Sequence, residues 1–434
     1  MSDEGGSFES PLSGAAIAIA QAWSDGLDLA ALVRVQVADL AESDVVVDLV
    51  ALGKAAPEMS AAASAVLGAR VGRRFVACDV STTGQSGDVV VTGEHPVPGL
   101  GSLEAGRRLL EFLDSPGDAT LTLFLVSGGA SSICVAPVPP VTLGDLEAVW
   151  NRALALGWDI TRLNRARAAM SALGGGAVLR RARTPRSRSL VMVDNVVGGA
   201  PWVASGLTFD YRPSRLARRR LRASLGPLEP DLARRLGDAM RSRAALVRTP
   251  PKAVHENRVL VEPRAAVAGV AAKARQRSMS VEDMGSVIGD VAEVVGAMAR
   301  RLRDASDDPV CFVGIGEVTV RVEGAGRGGR CQEFASRMAE VLAGLGRPGA
   351  CVALATDGRD FLEGVAGAWS DDTTVSRLAQ RGTDLGGLLA RHDVHDALEG
   401  VGQLIAGQRT GWNLCDVYVV ALGTRPPATS NATA

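Results

Sequence analysis

A lysine behind a glycine, at the end of an apolar run, opens the chemistry of this chain. Lys54 is one of three lysines set against 44 arginines in 434 residues. It follows Gly53 and the run Val45 to Leu52, and it precedes the helix-forming stretch Ala55 to Leu67. That order places an ammonium at the C-terminal edge of a sheet, where α/β proteins keep their ligand crevices. A compact point charge kept in an arginine-rich chain suits a phosphate oxygen; an ordinary surface lysine would leave the same trace.

Further loops could do related work. Ser127, Gly128, Gly129, Ala130, Ser131 and Ser132 follow the run Thr120 to Val126. Small residues let the backbone close on a ligand, and free N–H groups with hydroxyls hold an anion, although a tight strand-to-helix turn asks for the same glycines. Gly316 and Glu317 precede a second glycine loop, Gly324 to Gly329, which delivers Arg330 and Glu333 to the first turn of a helix. Helix-end N–H groups and a guanidinium there could share phosphoryl oxygens; a tight hairpin is the plainer alternative. Asp357, in Thr356-Asp357-Gly358-Arg359-Asp360, follows another apolar run. A carboxylate at a sheet edge binds metal or accepts a proton.

These residues need a frame to position them. The runs Val45 to Leu52, Arg74 to Val80, Asp88 to Thr92, Thr120 to Val126 and Leu190 to Val193 alternate with alanine- and leucine-rich stretches, the pattern of a mostly parallel α/β sheet with helices on both faces. Residues 11–40 read as one or two amphipathic helices, and 212–250 and 265–303 as mostly helical. After Pro309 the texture changes, with strand-like runs at Val310 to Gly314, Thr319 to Val322, Ala350 to Ala355 and Cys415 to Leu422. We therefore expect two α/β domains, 1–308 and 309–434.

Composition narrows the function. The formal net charge is −1, with 47 basic and 48 acidic residues, so no general attraction to nucleic acid or to an anionic membrane follows. Six cysteines without Cys-x-x-Cys spacing read as reduced thiols. No basic-apolar leader opens the chain, and Ala15 to Ala20 is too short to span a bilayer. A cytoplasmic protein acting on a small molecule is expected, and a homodimer is compatible with it.

In this order the motifs resemble the glycerate 2-kinase family, whose C-terminal part is the MOFRL domain. The resemblance rests on Gly53-Lys54-Ala55-Ala56, His95-Pro96, Ser127 to Ser132, Asn164 with Arg167 and Ser171, Gly316-Glu317, Gly328-Gly329-Arg330 with Glu333, Thr356-Asp357-Gly358, and Thr410-Gly411 with Asn413 and Asp416. It implies a Rossmann-like domain plus a MOFRL-type α/β domain, moving the γ-phosphoryl of ATP, with magnesium, onto the 2-hydroxyl of glycerate in a cleft between domains. On that footing Lys54 and Arg330 engage phosphoryl or carboxylate oxygens, and Asp357 holds magnesium or orients the hydroxyl. Ser127, Gly128, Gly129, Ser131 and Ser132 cradle an anion, while His95, Glu317, Glu333, Asn413 and Asp416 complete the set of candidate contacts.

The departures matter as much. Gly174-Gly175-Gly176 stands where the family has Lys-Gly-Gly, and Ala168-Ala169 replaces a basic and histidine pair. Asn195, Gly199 and Ala200 replace three acidic positions, with Asp194 one residue from the first; it is a partial substitute, and Asn195 a remaining substrate contact. Each charge-assisted hydrogen bond is worth about 1.5 to 3 kcal/mol, so glycerate is expected to be a poor acceptor. The expectation is a phosphotransferase acting on another hydroxy acid or related alcohol. The alternative is a silent or repurposed member, serving as a binding protein or in a non-kinase biosynthetic step.

Overall fold

The computed structural model describes residues 10–426 except 83, 85, 86, 157, 159, 322 and 323, and the chain divides into two compact units. Residues 28–262 form one. Its sheet contains β1 (Val47–Leu52), β2 (Val71–Cys78), β3 (Val89–Thr92), β4 (Leu121–Val126), β5 (Arg186–Met192) and β6 (Val254–Val261), in the order β3-β2-β1-β4-β5-β6. Every pairing is parallel. β1 and β4 are buried along their whole length, as strands covered on both faces must be, and on one face Val50, Leu52, Phe124 and Val126 join the flanking helices in one core.

This strand order reverses direction between β1 and β4. At such a switch point the connections leave toward opposite faces, and the carboxyl ends of the two central strands frame a crevice. Lys54 follows β1 and Ser127 follows β4, so the sequence delivers both loops to that crevice.

Residues 10–27 and 263–426 belong to the second unit. Its strands are β7 (Ser280–Asp290), β8 (Val310–Thr319), β9 (Gly349–Ala355), β10 (Val365–Asp371), β11 (Leu404–Ala406) and β12 (Asp416–Leu422), in the order β11-β10-β9-β12-β8-β7. Only β7 with β8 is parallel; the other pairings are antiparallel. Phe312, Phe334, Met338 and Tyr418 centre one core, with Phe334 and Tyr418 rings 4.6 Å apart. The helix Pro11–Gln21, capped by Ser10, packs on β9 and β12, burying Ala16, Ile17, Ile19 and Ala20.

The partition differs from the expected division at 308/309. Residues 263–308 join the second unit because β7, within the stretch read as helical, pairs along its length with β8. The N-terminal helical stretch is also divided: Pro11–Gln21 belongs to the second unit and Leu29–Ala41 to the first. Taken as one run, residues 11–41 are long and apolar enough for a membrane span. The fold breaks that run at Ala22–Asp28, and each half buries an apolar face. The strand expected at Thr319 to Val322 lies partly outside the described residues, and Thr319 itself ends β8.

Candidate functional site

The loops after β1 and β4 are stitched together by their backbones. Gly53, at φ 113°, donates its N–H to Ala77 at 3.0 Å, and Lys54 donates its own to the carbonyl of Gly128 at 2.9 Å. The buried Ser127 hydroxyl accepts from the N–H of Ala55 at 3.1 Å and donates to Leu52 at 3.3 Å. A Cβ on Gly53 would stand 2.6 Å from the Ser127 carbonyl oxygen and 2.7 Å from that of Gly128. Only glycine permits this approach, so the root of Lys54 is fixed by the loop after β4.

Side chains then converge on that loop. A Cβ on Gly128 would lie 2.5 Å from Asp194 Oδ2, and one on Gly129, at φ 82°, would lie 3.1 Å from the His95 ring and 3.3 Å from Lys54 Cγ. Gly128 and Gly129 therefore answer to the close approach of Asp194, His95 and Lys54 as well as to the turn. The short helix Ala130–Ile133 follows, with Ser132 buried. Asn195 is engaged locally, its Oδ1 accepting the N–H of Gly199 at 3.0 Å.

Where the family has lysine, Gly174 leaves its carbonyl to Arg243, which donates Nη2 to Gly174 at 2.6 Å and Gly175 at 3.0 Å. Burial pushes Arg243 down to about 10.

A second cluster lies in the other unit. Antiparallel pairing sets Asp416, the first residue of β12, opposite Gly316 on β8 and Ala355 on β9, so Glu317, Asp357 and Asp416 share one sheet edge. Arg330 grips Asp416 through both ends of its guanidinium, Nε to Oδ2 at 2.5 Å and Nη2 to Oδ1 at 2.8 Å, and stands 3.4 Å from Glu317. The Tyr418 hydroxyl donates to Asp416 Oδ2 at 3.1 Å. Burial would lower the Arg330 guanidinium, but the facing Asp416 and Glu317 carboxylates hold it above its ordinary range. Asp357 is half-buried and accepts the N–H of Arg359 at 3.0 Å.

Three expected contacts have other engagements. The helix Arg330–Ala343 presents its N-terminal N–H groups not to open space but to the buried carboxylate of Asp360, which accepts from Cys331 and Gln332 at 3.0 Å each. Gly329 allows that approach, since a Cβ would collide with the carboxyl. Glu333 is buried and accepts from Arg337 at 2.7 Å, with His392 Nδ1 at 3.2 Å. Asn413 turns its Oδ1 to the N–H of Cys415 at 3.1 Å.

Metal fit can be judged by donor chemistry. Among the described residues, His395, Asp396 and Glu399 bring three ligand atoms within 4.8 Å of one another, and Asp357 is not in that group. Asp396 is paired with Arg327 at 2.7 Å, and the buried His395 has Nδ1 2.9 Å from Gln332 Oε1, so this group suits magnesium poorly. Asp357 offers the hard oxygen that magnesium uses when phosphates supply the remaining ligands.

Sequence reasoning gave Asp360 and Arg167 no role. Asp360 was visible as the second acid of the Thr-Asp-Gly-Arg-Asp loop. Arg167 was visible as the third residue after Asn164, and it reaches the β4 loop by donating Nη1 to Ser131 Oγ at 2.9 Å.

Known proteins resemble this chain in sequence and in fold. Residues 15–223 match a domain of unknown function designated DUF4147, and residues 310–416 match the MOFRL family. An Agrobacterium vitis protein provisionally named as a hydroxypyruvate reductase is 30% identical over 349 residues, covering 77% of each chain. A D-glycerate 2-kinase from Thermotoga maritima is 28% identical over 385 residues, covering 86% of this chain and 89% of that protein. The crystal structure of the Thermotoga maritima glycerate kinase superimposes with a TM-score of 0.79 at 25% identity, covering 95% of this chain and 99% of that one. The chain thus belongs to the glycerate kinase and MOFRL family, as a divergent member with that family's kinase-like two-domain α/β fold.

Proposed function

We propose that this protein is a cytoplasmic, ATP-dependent phosphotransferase that acts on the hydroxyl of a small hydroxy acid other than glycerate. The observation carrying this reading is the β1/β4 crevice, where Gly53 and Gly128 fix the root of Lys54 beside a serine-rich turn and Asp194. Phosphoryl transfer asks the protein mainly for positioning and charge neutralisation. The Lys54 ammonium would meet phosphoryl oxygens, and the Ser127 to Ser132 segment would hold an anionic group. Asp194, from the loop after β5, approaches Gly128 and would orient or deprotonate an acceptor hydroxyl. In the other unit, Arg330 would meet phosphoryl or carboxylate oxygens, and Asp357 would hold magnesium. Bound ATP with magnesium would supply the transferable γ-phosphoryl group.

The name of the Agrobacterium relative raises a reductase reading. Directly after β1 this chain has Gly53-Lys54-Ala55-Ala56-Pro57, not the Gly-x-Gly-x-x-Gly turn on which a dinucleotide pyrophosphate rests, which favours the kinase reading. A panel of hydroxy acids and polyols, assayed with ATP and magnesium for ADP release and with NADH or NADPH on the corresponding oxo acids, tests both. We expect ADP release with at least one hydroxy acid and little with glycerate. Reductase activity without ADP release would overturn the proposal, and nucleotide binding without either would favour a binding protein.

A further inference from the structure

The roles above leave Arg167 unused, yet the fold holds it with care. Its guanidinium stacks on the Trp150 ring while Nη1 donates to Ser131, so its plane is set from two sides. Burial pushes it well below its ordinary range, with Asp194 as the opposing charge. A guanidinium with a fixed plane, of whose donors the described residues engage Nη1 alone, is a receptor for a carboxylate, which it can grip through two parallel bonds.

Beside it lies an apolar cavity of about 60 Å³, walled by Val97, Pro98, Val135, Val149, Trp150 and Met170. Ser131 and Ser132 form its polar edge, and Glu147 and Asn151 stand at its rim. A second void of about 40 Å³ borders Arg167 and Met170 as well; Gly174, the position of the family's lysine, lines it. Leu146 borders both. A three-carbon polar acid has no group to place against such walls. A cavity of roughly 150 Å³ accepts benzene, so this one is too small for a ring and suits a short alkyl chain.

Building on the phosphotransferase reading, we propose that Arg167 and this cavity form an acceptor subsite for a 2-hydroxy carboxylic acid with an alkyl chain. The carboxylate pairs with Arg167, and about two to four carbons beyond the hydroxyl-bearing one enter the cavity. Each buried methylene should tighten binding roughly fourfold until the cavity is full.

Calorimetric titration of the full-length protein with straight-chain 2-hydroxy acids of increasing length tests this without relying on turnover. Affinity should rise with length to an optimum near five or six carbons and then fall. Arg167→Gln should weaken every member at least about thirtyfold, with partial recovery in Arg167→Lys. Leu146→Trp, at a half-buried position bordering both voids, should shift the optimum to shorter acids. Affinity that is independent of length, or an optimum unmoved by Leu146→Trp, would overturn the proposal. The length trend without ADP release would sink the phosphotransferase reading and leave this subsite standing.

Discussion

Replacing Gly53 by alanine isolates how the crevice is built. The new Cβ would meet the carbonyl oxygens of Ser127 and Gly128 at 2.6 and 2.7 Å, at a backbone φ of 113°. The unfavourable φ costs about 1 to 3 kcal/mol, and pressing a methyl against backbone that cannot swing away costs about 1 to 3 more. A total of roughly 2 to 6 kcal/mol should lower the melting midpoint by about 4 to 24 °C for a unit of this size. Gly68→Ala provides the control, because its φ is 53° and a Cβ there meets nothing within 4 Å. It should lose only the strain, about 1 to 3 kcal/mol, and therefore less than Gly53→Ala. The assay is parallel thermal and urea unfolding of both variants. Equal losses, or a Gly53→Ala protein within about 0.5 kcal/mol of wild type, would refute the argument that the β4 loop is pressed against the root of Lys54.

Two further outcomes follow from groups away from the crevice. The Ser13 hydroxyl, on the N-terminal helix, donates to Asp371 Oδ2 at 3.0 Å with both residues fully buried; Ser13→Ala should cost about 1.5 kcal/mol, and urea unfolding indistinguishable from wild type would contradict it. Burial depresses His255, whose Nδ1 is 2.8 Å from Ser187 Oγ. Its unfolded form takes up a proton near 6.5 while the folded form resists, so this contribution is present above about 6.5 and is lost as pH falls through the folded value. The stability of His255→Gln should show a shallower decline between pH 7 and 5, and identical slopes for the two proteins would remove His255 as the source.

How legible all this was depended on burial. The β1 and β4 strands announced themselves as apolar runs, interrupted by Asp48 and Thr122 respectively, because both faces are covered. β5 was seen only from Leu190, since its first half carries Arg186 and Arg188, and the buried Arg188 is neutralised by Asp39 at 2.7 Å. β6 and β7 lie at sheet edges, with half of β6 and most of β7 exposed, which weakens the period that separates strand from helix. The boundary between the two units was hidden for the same reason, because β7 carries 263–308 into the second sheet. In the site, Lys54, His95, Asp194 and the serine-glycine turn were named from sequence and are gathered at one loop. The capture of the Arg330 helix terminus by Asp360 was not, because a sequence shows which N–H groups a helix exposes but not which carboxylate arrives first.

The central claim is that Lys54 still serves phosphoryl transfer. It is tested most directly by measuring kcat and KM of wild type, Lys54→Ala and Lys54→Arg with ATP, magnesium and the best hydroxy acid acceptor, alongside unfolding of each. Lys54→Ala should fold normally yet lose at least about a hundredfold in kcat, roughly 2.7 kcal/mol of transition-state stabilisation. Lys54→Arg should recover little, because a planar fork does not fit the place of a compact ammonium. Full turnover by Lys54→Ala would contradict the account and leave the lysine an inheritance of shape alone.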